Sequence, residues 1–232
     1  MAESSTLKPV LMVLTSHGTK GDTGDPTGFF LGELTHPLAV LEAADIPVAF
    51  ASIEGGEPPV DGFDLDDETN ARYWNNHTFR AAIRSTQKLA DVNPADYSAI
   101  FFAGGHGAMW DFPDSDAIQR ATRAIYEDGG AVGAVCHGPA ALVNVKLSDG
   151  SYLVSDKKLS AFTDSEEHAV GLENVVPFLL ASRLSERGAH HEAADDWNEK
   201  VTVDGRLVTG QNPQSATKVG EALRDWLQNT NR

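Results

Sequence analysis

Cysteine is nearly absent from this chain: Cys136 is the only one in 232 residues. A single thiol excludes an internal disulfide framework and any multi-cysteine zinc site. Basic residues are scarce as well. Lys plus Arg number 18 against 34 Asp plus Glu, a net charge of −16. A surface of that sign repels nucleic-acid phosphates and anionic lipid, so no nucleic acid and no membrane is expected as a partner. Long apolar runs are missing too. Residues 10–14 and 99–103 are the longest, far short of the roughly 20 residues that cross a bilayer. The opening Met-Ala-Glu-Ser-Ser lacks the basic and apolar regions of a signal peptide, so a cytoplasmic protein is expected. The first strand-to-helix turn, residues 15–27, has no Gly-x-Gly-x-x-Gly, which argues against a dinucleotide site. No repeat, low-complexity tract or linker interrupts the sequence. One domain over residues 1–232 is expected, with a loop insertion near 55–75.

What is present is an ordinary globular composition, 41% hydrophobic and 22% charged, in a chain long enough to bury roughly 70% of its unfolded surface. Short apolar runs alternate with amphipathic stretches, the pattern of an α/β protein with a mostly parallel sheet. Strands are predicted at 10–14, 48–51, 99–103 and 131–135, with a hairpin turning at Asp204-Gly205 and two short strands within 152–161. Helices are predicted at 27–44, with Pro37 disturbing one hydrogen bond, and at 76–90, 114–127, 140–145, 177–187 and 214–228. The acidic stretch from Asp61 to Glu68 reads as a solvated face and part of a lid.

Cys136 falls directly after an apolar strand and directly before a predicted helix, with small residues two before it (Ala134) and two after it (Gly138). That is the pattern of a nucleophile elbow, a tight turn that leaves the side chain at its crest. A helix starting at Pro139 would aim free N–H groups at the sulfur and lower its pKa. A buried structural cysteine is the plainer alternative. Gly104-Gly105-His106-Gly107 also closes a strand. Backbone N–H groups near Gly105 and His137 could then flank one developing oxyanion, with Gly104, Gly105 and His106 as the oxyanion and substrate-binding candidates. The plainer reading is a tight turn. His17, His36, His77 and His106 have no metal-ligand spacing, so no metal site is assigned. His190-His191-Glu192 reads as surface, with no strand before it. Trp74, Trp110 and Phe112 would either wall a pocket or belong to the core.

Two stretches together, residues 134–140 (Ala-Val-Cys136-His137-Gly-Pro-Ala) and residues 103–113 (Ala-Gly-Gly-His106-Gly-Ala-Met-Trp-Asp-Phe-Pro), resemble the PfpI-type, class I glutamine-amidotransferase-like superfamily, which includes the parkinsonism-associated deglycase. Three further segments narrow the branch: 27–37 around Glu33, 161–167 ending in Glu167, and 204–213. They resemble the heat-shock chaperone and glutathione-independent glyoxalase branch (glyoxalase III, D-lactate dehydratase), from about Val10 to near the end of the chain.

The resemblance implies a flavodoxin-like three-layer α/β/α sandwich and a homodimer. It implies a catalytic set of Cys136, His137, Glu33 and Glu167. Glu33 matches the glutamate that lies against the sulfur, protonated and able to shuttle a proton. His137 matches the histidine beside the nucleophile, and Glu167 its orienting carboxylate. Glu166 is the neighbouring alternative, though the spacing from Phe162-Thr163-Asp164 favours Glu167. The implied reaction converts methylglyoxal and related small 2-oxoaldehydes to 2-hydroxy acids through a hemithioacetal and an enediol, with no cofactor. Two other classes stay open: a holding chaperone, which the branch also includes and which would act independently of Cys136, and a deglycase, amidase or peptidase that would use the same Cys-His-Glu set.

Overall fold

The computed structural model describes residues 7–230; the Met1–Ser5 stretch discussed above lies outside them. Its first half runs β1 (Val10–Leu14), β2 (Phe29–Phe30), α1 (Leu31–Ala43), β3 (Val48–Ser52), β4 (Val60–Asp61), α2 (Glu68–Trp74), α3 (His77–Arg84), β5 (Gln87–Lys88), β6 (Ala99–Phe102) and α4 (Ala108–Asp111). Its second half runs α5 (Asp116–Glu127), β7 (Ala131–Val135), β8 (Lys158–Leu159), α6 (Asp164–Ala169), α7 (Leu180–Glu186), β9 (His190–His191), β10 (Val201–Asp204), β11 (Leu207–Gly210) and α8 (Ala216–Thr230).

Seven strands form the central sheet in the order β10-β11-β7-β6-β1-β3-β5. Among the described residues of this sheet β10 alone runs antiparallel, joined to β11 through the predicted hairpin. The central strands β1, β6 and β7 carry no polar side chain because helices cover both faces of the sheet. Alternation assigns the faces. Leu11, Val13, Ile100, Phe102 and Val132 pack with Ile118 and Ile125 of α5. Val10, Met12, Phe101 and Val135 pack with Leu34, Leu38 and Leu41 of α1 and Val219 and Leu223 of α8. α1 continues through Pro37, where α8 comes so close that a Cβ on Gly220 would meet the Pro37 Cα at 2.8 Å.

The elements depart from expectation where distant partners take the backbone. Residues 27–30 are not helical. The Phe29 N–H bonds Pro59 O and the Phe30 N–H bonds Gly104 O, which holds them extended beside β4. The helix predicted at 76–90 stops at Arg84, because Thr86 exchanges both backbone hydrogen bonds with Gly56 and its hydroxyl meets Ser52. The following residues join the sheet edge as β5. His190-His191 lies in a strand after all, paired in parallel with Lys158-Leu159. The segment near 55–75 is partly ordered as β4 and α2, the latter capped by Asp67.

Candidate active site

β6 and β7 are neighbours and parallel, with Phe102 opposite Ala134, so both deliver their following turns to the same edge of the sheet. Open α/β sheets bind ligands at this edge. Beyond β7, Cys136 adopts φ 59°, a left-handed conformation rare for a residue with a side chain. Its N–H bonds Gly210 O and its carbonyl accepts from the Phe162 N–H, both at 3.0 Å. The two turns pack so tightly that a Cβ on Gly138 would lie 2.3 Å from Phe102 O. One on Gly104 would lie 2.2 Å from a Glu33 carboxyl oxygen and 2.9 Å from the His137 nitrogen. The small residues around the cysteine are therefore demanded by space. Gly105 is demanded by its φ of 102° as well.

Two side chains, His137 and Glu33, meet at the sulfur, and a third, Glu167, holds the histidine. The His137 Nδ1 lies 3.4 Å from Cys136 Sγ, and its Nε2 lies 2.7 Å from Glu167 Oε2. Burial raises the Glu167 pKa, but hydrogen bonds from His106 and His137 outweigh it and hold the carboxyl down at about 2. Glu167 is thus ionised and can only accept. Nε2 of His137 therefore carries the proton, and the Nδ1 lone pair faces the sulfur. Burial, helped by the nearby His106, lowers the His137 pKa to about 4 despite Glu167, so the ring is neutral near pH 7.

Glu33, on α1, is fully buried beside the sulfur. Neither carboxyl oxygen has a partner of good hydrogen-bond geometry, although the Cys136 sulfur and the Gly104 N–H are near enough to favour its charged form. Burial outweighs both and lifts its pKa to about 8, which leaves the carboxyl protonated at neutral pH. Burial also pushes the Cys136 thiol up, as does the Glu33 charge, with only the His137 N–H opposing. The expected low-pKa thiolate is thereby corrected. The chain after Cys136 forms only a short 3₁₀ segment, Gly138–Leu142, where a helix over 140–145 was expected. It lacks the length to aim a dipole, and desolvation of a residue 3% exposed decides the direction. The resting group is a thiol with a base beside it.

The sulfur opens on a cavity of about 390 Å³ that Gly105, His106, Cys136 and His137 line on one side. Phe30, Phe162, Leu172 and Trp197 give it an apolar wall, and Lys20, Asp25 and Asp61 a polar one. Gly104 stands behind this lining, its N–H turned to Glu33. Trp74, Trp110 and Phe112 take no part: Trp74 packs on Phe63, Trp110 on His17, and Phe112 on Phe102 in the core. No local pattern marks Trp197, whose loop is distant in the chain from Cys136. His17, His36 and His77 stay apart from the site. His106, His137 and Glu167 bring three ligand atoms within 4.8 Å of one another, but both histidine Nε2 atoms already spend their protons on the carboxylate. Glu166 points away from the sulfur and serves a different network, described below.

Fold and site together define a flavodoxin-like α/β protein with a buried cysteine on a strained strand-end turn. The chain belongs to the DJ-1/PfpI family, which it matches over residues 27–224. It is 34% identical to Glyoxalase 3 of Candida albicans, covering 91% of this chain and 95% of that protein. It is 31% identical to the glutathione-independent glyoxalase HSP31 of Saccharomyces cerevisiae, covering 96% and 99%. Among solved structures, the Rapid Encystment Protein of Francisella tularensis superposes with a TM-score of 0.92 at 41% identity, over 95% of this chain and 99% of that one.

Proposed function

We propose that the chain is a glutathione-independent glyoxalase, a lyase of the D-lactate dehydratase type that converts methylglyoxal and related 2-oxoaldehydes to 2-hydroxy acids. One observation carries the reading: a lone thiol faces the free nitrogen of a neutral histidine, with a protonated carboxyl at its other side. The names of the relatives at 31–34% identity over nearly the whole chain support it.

Cys136 Sγ attacks the aldehyde carbon C1 while its proton leaves to His137 Nδ1, which returns one to the new oxyanion and gives a hemithioacetal. Glu167 fixes the histidine and stabilises its transient charge. C1 then loses its hydrogen as a proton to the acid–base groups beside the sulfur, Glu33 or His137. The same group protonates the oxygen on C2, and an enediol results. Protonation of C2 and loss of the O1 proton leave a 2-hydroxy thioester, which water cleaves to the acid and the thiol. The chemistry is an internal redox exchange, C1 oxidised and C2 reduced, so no external electron acceptor enters. Backbone N–H groups near Gly105 and His137 favour the oxyanions.

Purified protein is expected to consume methylglyoxal with no added thiol and to release D-lactate, and Cys136→Ala to abolish the reaction. Turnover that survives this substitution would refute the covalent route.

A further inference from the structure

We propose that His106 is a second acid–base residue of this site and that it serves C2 of the substrate. The inference rests on the glyoxalase reading. It is carried by the way two histidines share one carboxylate. Glu167 Oε1 takes the Nε2 of His106 at 2.7 Å, and Oε2 takes the Nε2 of His137 at 2.7 Å. Their rings lie 4.0 Å apart, centroid to centroid. An ionised carboxylate cannot donate, so each ring has its proton on Nε2 and a bare Nδ1. The two Nδ1 atoms then differ in what they face. That of His137 faces the sulfur. That of His106 meets no hydrogen-bonding group among the described residues and is not sealed from solvent, on a residue that lines the cavity beside Cys136. Phe162 stands edge-on to the His106 ring at 6.0 Å and limits its rotation.

A hemithioacetal tethers C1 to the sulfur, within reach of His137 and Glu33. C2 lies one bond further into the cavity, on the side His106 lines. In the second half of the reaction, the bare Nδ1 of His106 takes a proton from a cavity water and gives it to C2 of the enediol. The C1=C2 pair forms the new C–H bond, the O1 proton leaves to the base at the sulfur, and C1=O closes as the thioester. The base at the sulfur passes the O1 proton to the hydroxide left by that water, so His106 ends neutral, as it began.

The test is His106→Asn, which removes the ring base, read in deuterium oxide. Loss of the C2 acid leaves C1 exchange running while product formation stops. Recovered methylglyoxal should exchange its aldehyde hydrogen at near the wild-type rate while D-lactate formation falls roughly hundredfold. Added imidazole should restore part of the D-lactate rate in His106→Ala. Alkylation of Cys136 by iodoacetamide, which needs only the sulfur and His137, should change less than about threefold. Exchange and product formation falling together, without imidazole rescue, would reduce His106 to a positioning role and overturn the assignment. So would a His106→Asn protein that makes D-lactate at the wild-type rate. A wild-type protein inert to methylglyoxal would overturn the glyoxalase reading, and this assignment with it.

Discussion

Two glutamates are fully buried near the sulfur, and their surroundings could hardly differ more. Glu166 accepts five hydrogen bonds: from the Thr163 N–H and hydroxyl, the Trp197 N–H, and the side-chain amides of Gln211 and Asn212. It closes a capping box on α6 and ties the Trp197 loop and the turn after β11 to that helix. Glu33 has no hydrogen bond of good geometry and is held protonated by burial. A buried carboxylate without a cation persists where neutral donors surround it. A carboxyl deprived of donors is destabilising, and such a group persists where chemistry uses its proton. The contrast separates a carboxylate that holds the wall of the cavity from a protonated carboxyl that the proposed reaction would use.

The largest effect that sharpens this contrast is expected at Glu166. Glu166→Ala strands several buried donors at once, and each costs about 1–3 kcal/mol. A stability loss of roughly 4 kcal/mol or more in urea unfolding is expected. A loss under about 1 kcal/mol would show that water replaces the carboxylate.

Glu33→Gln is expected to act the other way on stability. The folded carboxyl keeps its proton up to a pKa of about 8, against an ordinary 4.5. As pH rises from 4.5 to 8, the unfolded chain releases a proton that the folded chain retains. Wild-type stability therefore declines relative to the glutamine variant through that window, by an amount on the order of a few kcal/mol. Below pH 4.5 the two should converge. His137, with its pKa lowered to about 4, makes both proteins lose stability as pH falls from 6.5 to 4, so its contribution cancels in the difference. Turnover of methylglyoxal should drop at least a hundredfold in the same variant. A flat stability difference across pH 5–8 would mean Glu33 is ionised in the folded protein.

The smallest effect is expected at Trp197. Its φ of 64° puts a bulky residue in the left-handed region, and its N–H, which Glu166 holds, survives any substitution except proline. Trp197→Gly relieves strain of about 1 kcal/mol and loses the edge-on ring contact with Phe162. A net change within about 1 kcal/mol is expected in thermal unfolding.

Much of the sheet could be read in advance, because β1, β6 and β7 are runs of apolar residues bounded by turns, and that pattern is local. The elbow was legible for the same reason: Ala134, Cys136 and Gly138 stand within five residues. Spacing from Phe162-Thr163-Asp164 favours Glu167 over Glu166 as the carboxylate the resemblance implies, and Glu167 lies against His137. What stayed hidden depends on long-range partners. Glu166 draws on residues 31 to 46 positions away. The extended residues of β2, ahead of α1, need Pro59 and Gly104, and the thiol's raised pKa depends on what surrounds it.

The backbone on either side of the sulfur is pinned to distant segments: the Cys136 N–H to Gly210 of β11, and its carbonyl to Phe162 in the loop before α6. Any molecule joined covalently to this side chain inherits a fixed hinge, able to swing about the Cα–Cβ and Cβ–Sγ bonds alone. On the proposed covalent route, successive intermediates would pass between neighbouring groups by rotation about those two bonds, with the main chain at Cys136 standing still.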